Sequence, residues 1–95
     1  MFDVTLISDI RDGAVRRASF QTCGAVCSRQ IDIELDGDIV RSVRYTGGCH
    51  GNTQGIGALV VGMHKAEVIS RLSGIDCKGR GTSCPDQLSR ALKML

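Results

Sequence analysis

Between residues 31 and 36 apolar and polar side chains alternate. Ile31, Ile33 and Leu35 trade places with Asp32, Glu34 and Asp36, the period of a strand with one buried face. Asp36-Gly37 is a hairpin turn signal. A return strand over about residues 38–45 carries Ile39, Val43 and Tyr45 on one face, with Arg41 out of pattern. After residue 51 the period lengthens. Ile56, Leu59, Val60 and Met63 follow the i, i+3, i+4, i+7 spacing of an amphipathic helix over 52–63, with Gly62 near its end. Gly55 and Gly57 each cost such a helix roughly 1 kcal/mol relative to alanine, so close packing is expected to compensate. A second short helix turns Val68, Ile69 and Leu72 inward and stops at Gly74. Residues 75–84 read as loop. A last helix over 85–95 carries the stripe Leu88, Ala91, Leu92 and Leu95. Pro85 suits its first position, and Asp86 complements the helix dipole. Residues 1–22 are the least regular: "FDVTLI" has strand-like content, and "AVRRASF" fits a second short strand or an arm. The face formed by Ile31, Ile33 and Leu35 is expected to pack against the 52–63 and 85–95 helices.

The chain has 95 residues, enough for one globular domain. Its 42% hydrophobic content excludes disorder throughout. Phe2, Phe20 and Tyr45 are the only aromatics, so the core rests on Ile, Leu and Val. A net charge of +2 argues against nucleic acid as a partner. Arg11, Arg16, Arg17 and Arg29 make the first third locally basic, a pattern that usually marks a solvated face. No apolar stretch reaches the length of a membrane span. The opening "MFDVTLISDIRDG" lacks a basic start followed by an apolar run, so no signal peptide is expected. The expected location is cytoplasmic. No Ser-His-Asp set or paired-carboxylate site is evident, and Asp32, Glu34, Asp36 and Asp38 read as the wet face and turn of the hairpin.

Five cysteines change the picture. Without a secretory context, clustered cysteines point to metal ligands or redox chemistry rather than to a disulfide framework. Any one of them could instead be a small buried apolar residue. Cys49 sits just before the 52–63 helix and Cys84 at the cap position of the last helix. Helix N-termini carry partial positive charge and unpaired N–H groups, which favour thiolate. Cys23 and Cys27 precede the first clear strand, and Cys77 stands in C-x6-C spacing with Cys84. No C-x2-C knuckle is present, so the ligands of any metal converge only through the fold. His50 adjoins Cys49, as a ligand, a hydrogen-bond donor or an exposed side chain; His64 is expected to face solvent. The loop "TGGCHGN" offers another chemistry. Gly47, Gly48, Gly51 and Asn52 run from a strand end into a helix start, a geometry that presents N–H groups to a phosphate-bearing ligand such as a flavin or nucleotide.

The string "TSCPDQL", residues 82–88, resembles the signature of TSCPD domains. "GAVCSRQI" is similar to that family's opening block, "GGCHGN" to its central loop and "DCKGRGTSCPDQL" to its closing pair of cysteines. The resemblance runs from about residue 24 and implies a TSCPD domain over residues 23–95, with 1–22 as an N-terminal strand or arm. It matches four cysteines, Cys27, Cys49, Cys77 and Cys84, and leaves Cys23 outside. Such domains occur as small stand-alone bacterial proteins and at the C-terminus of some cobalamin-dependent ribonucleotide reductases. A ribonucleotide reductase, another redox protein or a second copy in a homodimer are therefore the candidate partners. The order "CGAVCSRQI", "YTGGCHG" and "SCPDQLSRALKML" is also similar, more distantly, to IscU-type iron–sulfur scaffold proteins. That likeness implies an α+β fold, a curved and mostly antiparallel sheet with helices on one face. Ala25 stands where the scaffolds have an acidic residue, which argues against a transient assembly role. The reading that follows is a metal-binding module. Cys27, Cys49, Cys77 and Cys84 would hold zinc or an iron–sulfur cluster. The alternatives are a flavin- or nucleotide-binding module using loop 47–52, and a thiol redox or interaction partner.

Overall fold

The alternation at residues 31–36 lies in an interior strand of a four-stranded antiparallel sheet. The computed structural model describes residues 3–24, 26, 28–48, 50–79 and 81–95, with His50 placed by its backbone alone. In chain order the elements are β1 Thr5–Asp12, β2 Val15–Gln21, β3 Ser28–Asp36, β4 Ile39–Gly47, α1 His50–Val60, α2 Lys65–Leu72 and α3 Cys84–Lys93. The strands lie side by side in sequence order, β1-β2-β3-β4. The class is α+β, and the irregular N-terminal residues supply two of the four strands.

Ile33 faces Ala18 on β2 and Val43 on β4. Ile31 stands between Phe20 and Tyr45. These side chains share one face and form the core with Leu35, Val40, Val60, Val68, Leu88, Ala91 and Leu92. The opposite face is polar. Arg17 donates to Glu34 at 2.7 Å, and the Ser19 hydroxyl donates to Asp32 at 2.6 Å. On the helix face, Arg16 donates to Asp9 and to the Leu95 carbonyl, so two of the four N-terminal arginines are tied up within the fold.

The out-of-pattern Arg41 has a structural cause. Glu34 pairs with Ser42 but Leu35 pairs with Val40, so Arg41 is an extra, exposed residue in a β-bulge. The bulge shifts the alternation by one. Val40, fully buried, joins Val43 and Tyr45 on the inner face, and Ile39, expected there, is only half-buried.

A second correction concerns α1. Val60 is buried and Ile56 and Met63 pack partly against the core, but Leu59 is 77% exposed. The reason is Gly57. A Cβ there would lie 2.7 Å from the Val43 carbonyl oxygen, so the helix backbone rests directly on β4. Thr53, Gly57 and Val60 form the sheet-facing stripe, and Ile56 and Leu59 turn sideways toward α3. Gly55, by contrast, faces open space. α2 buries Val68 and packs against α3, whose Leu88, Ala91 and Leu92 close the core. His64 is exposed at the N-cap of α2.

Candidate functional site

The stretch Thr82–Gln87 is a helix-starting device that presents one thiol. The N-cap is Ser83, one residue before the expected position, and Cys84 is the first helical residue. The Ser83 hydroxyl accepts from the Asp86 N–H at 3.1 Å and donates to the Ile75 carbonyl at 2.6 Å. This satisfies one of the free donors of the first turn. Buried Asp86 accepts from the Thr82 hydroxyl at 2.5 Å, the Gly74 N–H at 2.8 Å and Arg90 Nε at 2.8 Å. Gln87 Nε2 donates to the Thr82 hydroxyl, and Gln87 Oε1 accepts from the Cys23 N–H. Pro85 pre-sets the first turn. Five of the six side chains thus serve the architecture, and Cys84 is left for chemistry.

Burial works against the Asp86 charge. The hydrogen bonds from Arg90, Thr82 and Gly74, together with the Arg90 charge, outweigh it and hold the carboxyl below its ordinary value. A group depressed in the folded state adds stability above its unfolded pKa of about 3.9, and that contribution is lost as pH falls through the lower folded value. Asp86→Asn should destabilise the fold by about 2–4 kcal/mol at pH 7. Urea titrations of both proteins at pH 7 and pH 3 check this, and the gap should narrow at pH 3.

Cys77 is held near the same helix start. Its N–H donates to the Thr82 carbonyl at 3.1 Å. The Asp76 carboxylate accepts from Gly79 N–H at 2.6 Å and Gly81 N–H at 2.5 Å, which folds the 77–82 loop back on itself. Cys77 and Cys84, both half-buried, line one cavity of about 360 Å³. Gly51, Asn52 and Gly55 of α1 border it, and Val26, Ile56, Leu59 and Pro85 give it a mostly apolar wall. Cys84 is anchored from two further sides. Its Sγ lies 3.2 Å from the Ser28 hydroxyl, and its carbonyl accepts from the Tyr45 hydroxyl at 3.0 Å. Burial, with a smaller effect of neighbouring Cys84, pushes the Tyr45 phenol far above its ordinary pKa, so it remains a donor.

Of the sequence-predicted residues, Cys77, Cys84, Gly51 and Asn52 come together at this cavity. Gly47 and Gly48 line a separate one of about 400 Å³ beside Arg44, Tyr45 and Gly57, and Thr53 borders both. Cys23 is half-buried and is not among the residues lining either. Cys27, Cys49 and the His50 side chain lie outside the described residues. Gly48 has φ +88°, and a Cβ there would stand 3.3 Å from Ser28 Cβ, Ser28 N and Thr53 Cγ2. The positive φ strains any side chain there, and the neighbours would have to give by a few tenths of an ångström. Gly48→Val should therefore push on Ser28 and so on the Cys84 thiol. The expected outcome is a melting temperature lowered by about 5–10 °C, read by circular dichroism. Sequence reasoning missed Ser28 and Tyr45 as partners of Cys84. The signal for Ser28 was its place next to Cys27 in "CSRQI".

Among the described residues, no group of three or more His, Cys, Asp or Glu side chains is placed to hold a metal ion. No helix among the described residues is long and apolar enough to cross a membrane. No curated protein and no solved structure matches the chain. A family model, TSCPD domain, matches residues 8–95 and so takes in most of β1 and everything after it. The TSCPD motif from which this site is built is thus part of a match that spans nearly the whole chain, which belongs to the TSCPD domain family.

Proposed function

We propose that the protein is a thiolate metal-binding module in which Cys27, Cys49, Cys77 and Cys84 hold zinc or an iron–sulfur cluster. The observation that supports this reading is the convergence of described residues from all four cysteine-bearing segments. Cys77 and Cys84 line one cavity. Val26, on one side of Cys27, lines it too, and Ser28, on the other side, touches the Cys84 sulfur. Gly48, before Cys49, lies close beside Ser28, and Gly51, two residues after Cys49, borders the cavity. Zinc and iron–sulfur clusters both accept four thiolates. The donor set fits such a centre, and the Ser28 hydroxyl offers the Cys84 sulfur a hydrogen bond of the kind that orients metal ligands.

Single Cys→Ser variants test this on protein purified without oxygen. Cys27→Ser, Cys49→Ser, Cys77→Ser and Cys84→Ser should each drop bound metal from about one centre per chain to below about 0.2 equivalents, and Cys23→Ser should not. Equal metal content in Cys84→Ser and the parent protein overturns the reading.

The cavity itself favours a second reading. Its volume falls within the range of small-molecule sites, about 300–1,000 Å³, and its wall of Val26, Ile56, Leu59 and Pro85 suits an apolar body such as a flavin ring. Gly51 and Asn52 at its rim would then meet the polar end of that ligand. Mass spectrometry of the denatured protein separates the two readings, because only this one releases an organic molecule.

A further inference from the structure

The two edges of the sheet are treated differently. The β4 edge is occupied at its start. Val40 accepts from the Gly62 N–H and donates to the Met63 carbonyl, the Lys65 N–H donates to Asp38, and Ile39 bridges to His64. α1 covers β4 further along. Among the described residues, the β1 edge carries nothing comparable. All eight of its residues are exposed, and its extensive contacts among the described elements are with β2. Leu6, Ile7 and Ile10 are 42%, 54% and 61% exposed.

Open edges are usually guarded by lysine, proline, inward-pointing charge or a bulge. β1 contains neither lysine nor proline. Its one bulge lies between Leu6 and Ser8, which leaves Ser8–Asp12 in regular register. Its inward charges are Asp9 and Arg11, and Asp9 is paired with Arg16 through hydrogen bonds of 2.8 and 2.5 Å. In that regular stretch Ile10 lies opposite Arg17 on the polar face, and Asp9 and Arg11 lie opposite Ala18 and Arg16 on the helix face.

The geometry points to a second copy of this chain as the occupant: β1 pairs antiparallel with β1 of its twin about a two-fold axis through Ile10. In this register Ile10 faces its own equivalent, and Asp9 and Arg11 face each other across the axis twice, opposite charges on one face. Other registers fail. A slide of two residues sets Asp9 on Asp9 or Arg11 on Arg11, and a slide of one sets Ile10 against a charge and crosses the faces. The strand is therefore charge-complementary to itself in one register. The two sheets join into one continuous sheet, and the β1 edges disappear. Such a strand-on-strand contact is small, below about 1,200 Å², so the dimer exchanges with monomer, with a dissociation constant on the order of 10 µM. This inference is independent of the proposed metal site, whose cavity is lined from α1 and α3, away from β1.

Sedimentation velocity of the full chain between about 1 and 300 µM tests it. The parent protein should shift from monomer to dimer across that range. Ile10→Lys, at an exposed position, should weaken the dimer at least tenfold and leave the melting temperature unchanged. Directly opposed residues in an antiparallel pair have Cα atoms about 4.5–5.5 Å apart, within disulfide reach. Ile10→Cys should therefore add a cross-linked dimer on a non-reducing gel beyond the parent's background, and Ser8→Cys, opposite Asp12, should not. A monomer at every concentration overturns the proposal. So does a dimer that survives Ile10→Lys, or a Ser8→Cys chain that links better than Ile10→Cys.

Discussion

Ile33→Asp should leave the chain without a cooperative melting transition. Ile33 is 2% exposed and sits in the middle of β3, between Ala18 and Val43. Burying an isoleucine side chain contributes roughly 1.5–3 kcal/mol, and the substitution loses that and places a carboxylate in an apolar core. A domain of this size is stable by only about 5–14 kcal/mol, and several of those are lost at once. Ile33→Val is the control, costing about 0.5–1.5 kcal/mol and keeping a sharp transition. Circular dichroism melts of the two variants decide the matter, and an Ile33→Asp protein that melts within a few degrees of the parent contradicts the packing described here.

Residue 33 could be assigned from the sequence because strict alternation over residues 31–36 has one geometric meaning. The neighbouring strand was harder. Arg41 interrupts the alternation of β4, and a bulge hides in sequence as an imperfection, because the pattern does not say which residue is the extra one. The same holds for β1, where the bulge at Ile7 breaks the alternation of Leu6, Ser8 and Ile10. Asp12-Gly13 is the same turn signal as Asp36-Gly37, yet the strand before it has no clean pattern for the turn to join. The site was legible where chemistry and local structure coincide, at Cys84 before Pro85 and Asp86. Ser28 and Tyr45 reach Cys84 from 56 and 39 residues away, and no local pattern announces such a meeting.

Gly55 and Gly57, both within α1, should respond to alanine in opposite directions. In a helix, glycine to alanine ordinarily stabilises by about 0.5–1 kcal/mol. Gly55 faces open space, so Gly55→Ala should follow that rule. Gly57 does not have the room. Its new methyl would meet the Val43 carbonyl at 2.7 Å, a backbone atom held by the β3–β4 ladder. Either α1 lifts from the sheet or β4 bends, and overpacking of this kind costs about 1–3 kcal/mol. The lift would also move Thr53, which borders both cavities. Urea titrations of the two variants should thus straddle the parent midpoint. Equal shifts in one direction would mean that α1 does not rest on Val43.

The proposed thiolate centre is tested most directly by what the intact protein carries. Elemental analysis and an absorption spectrum, taken on one anaerobically purified sample of the full chain, measure that. A thiolate centre predicts either about one zinc per chain with no visible absorption, or iron and sulfide with an ultraviolet-visible cluster band. Less than about 0.2 equivalents of any transition metal, with no such band, contradicts it.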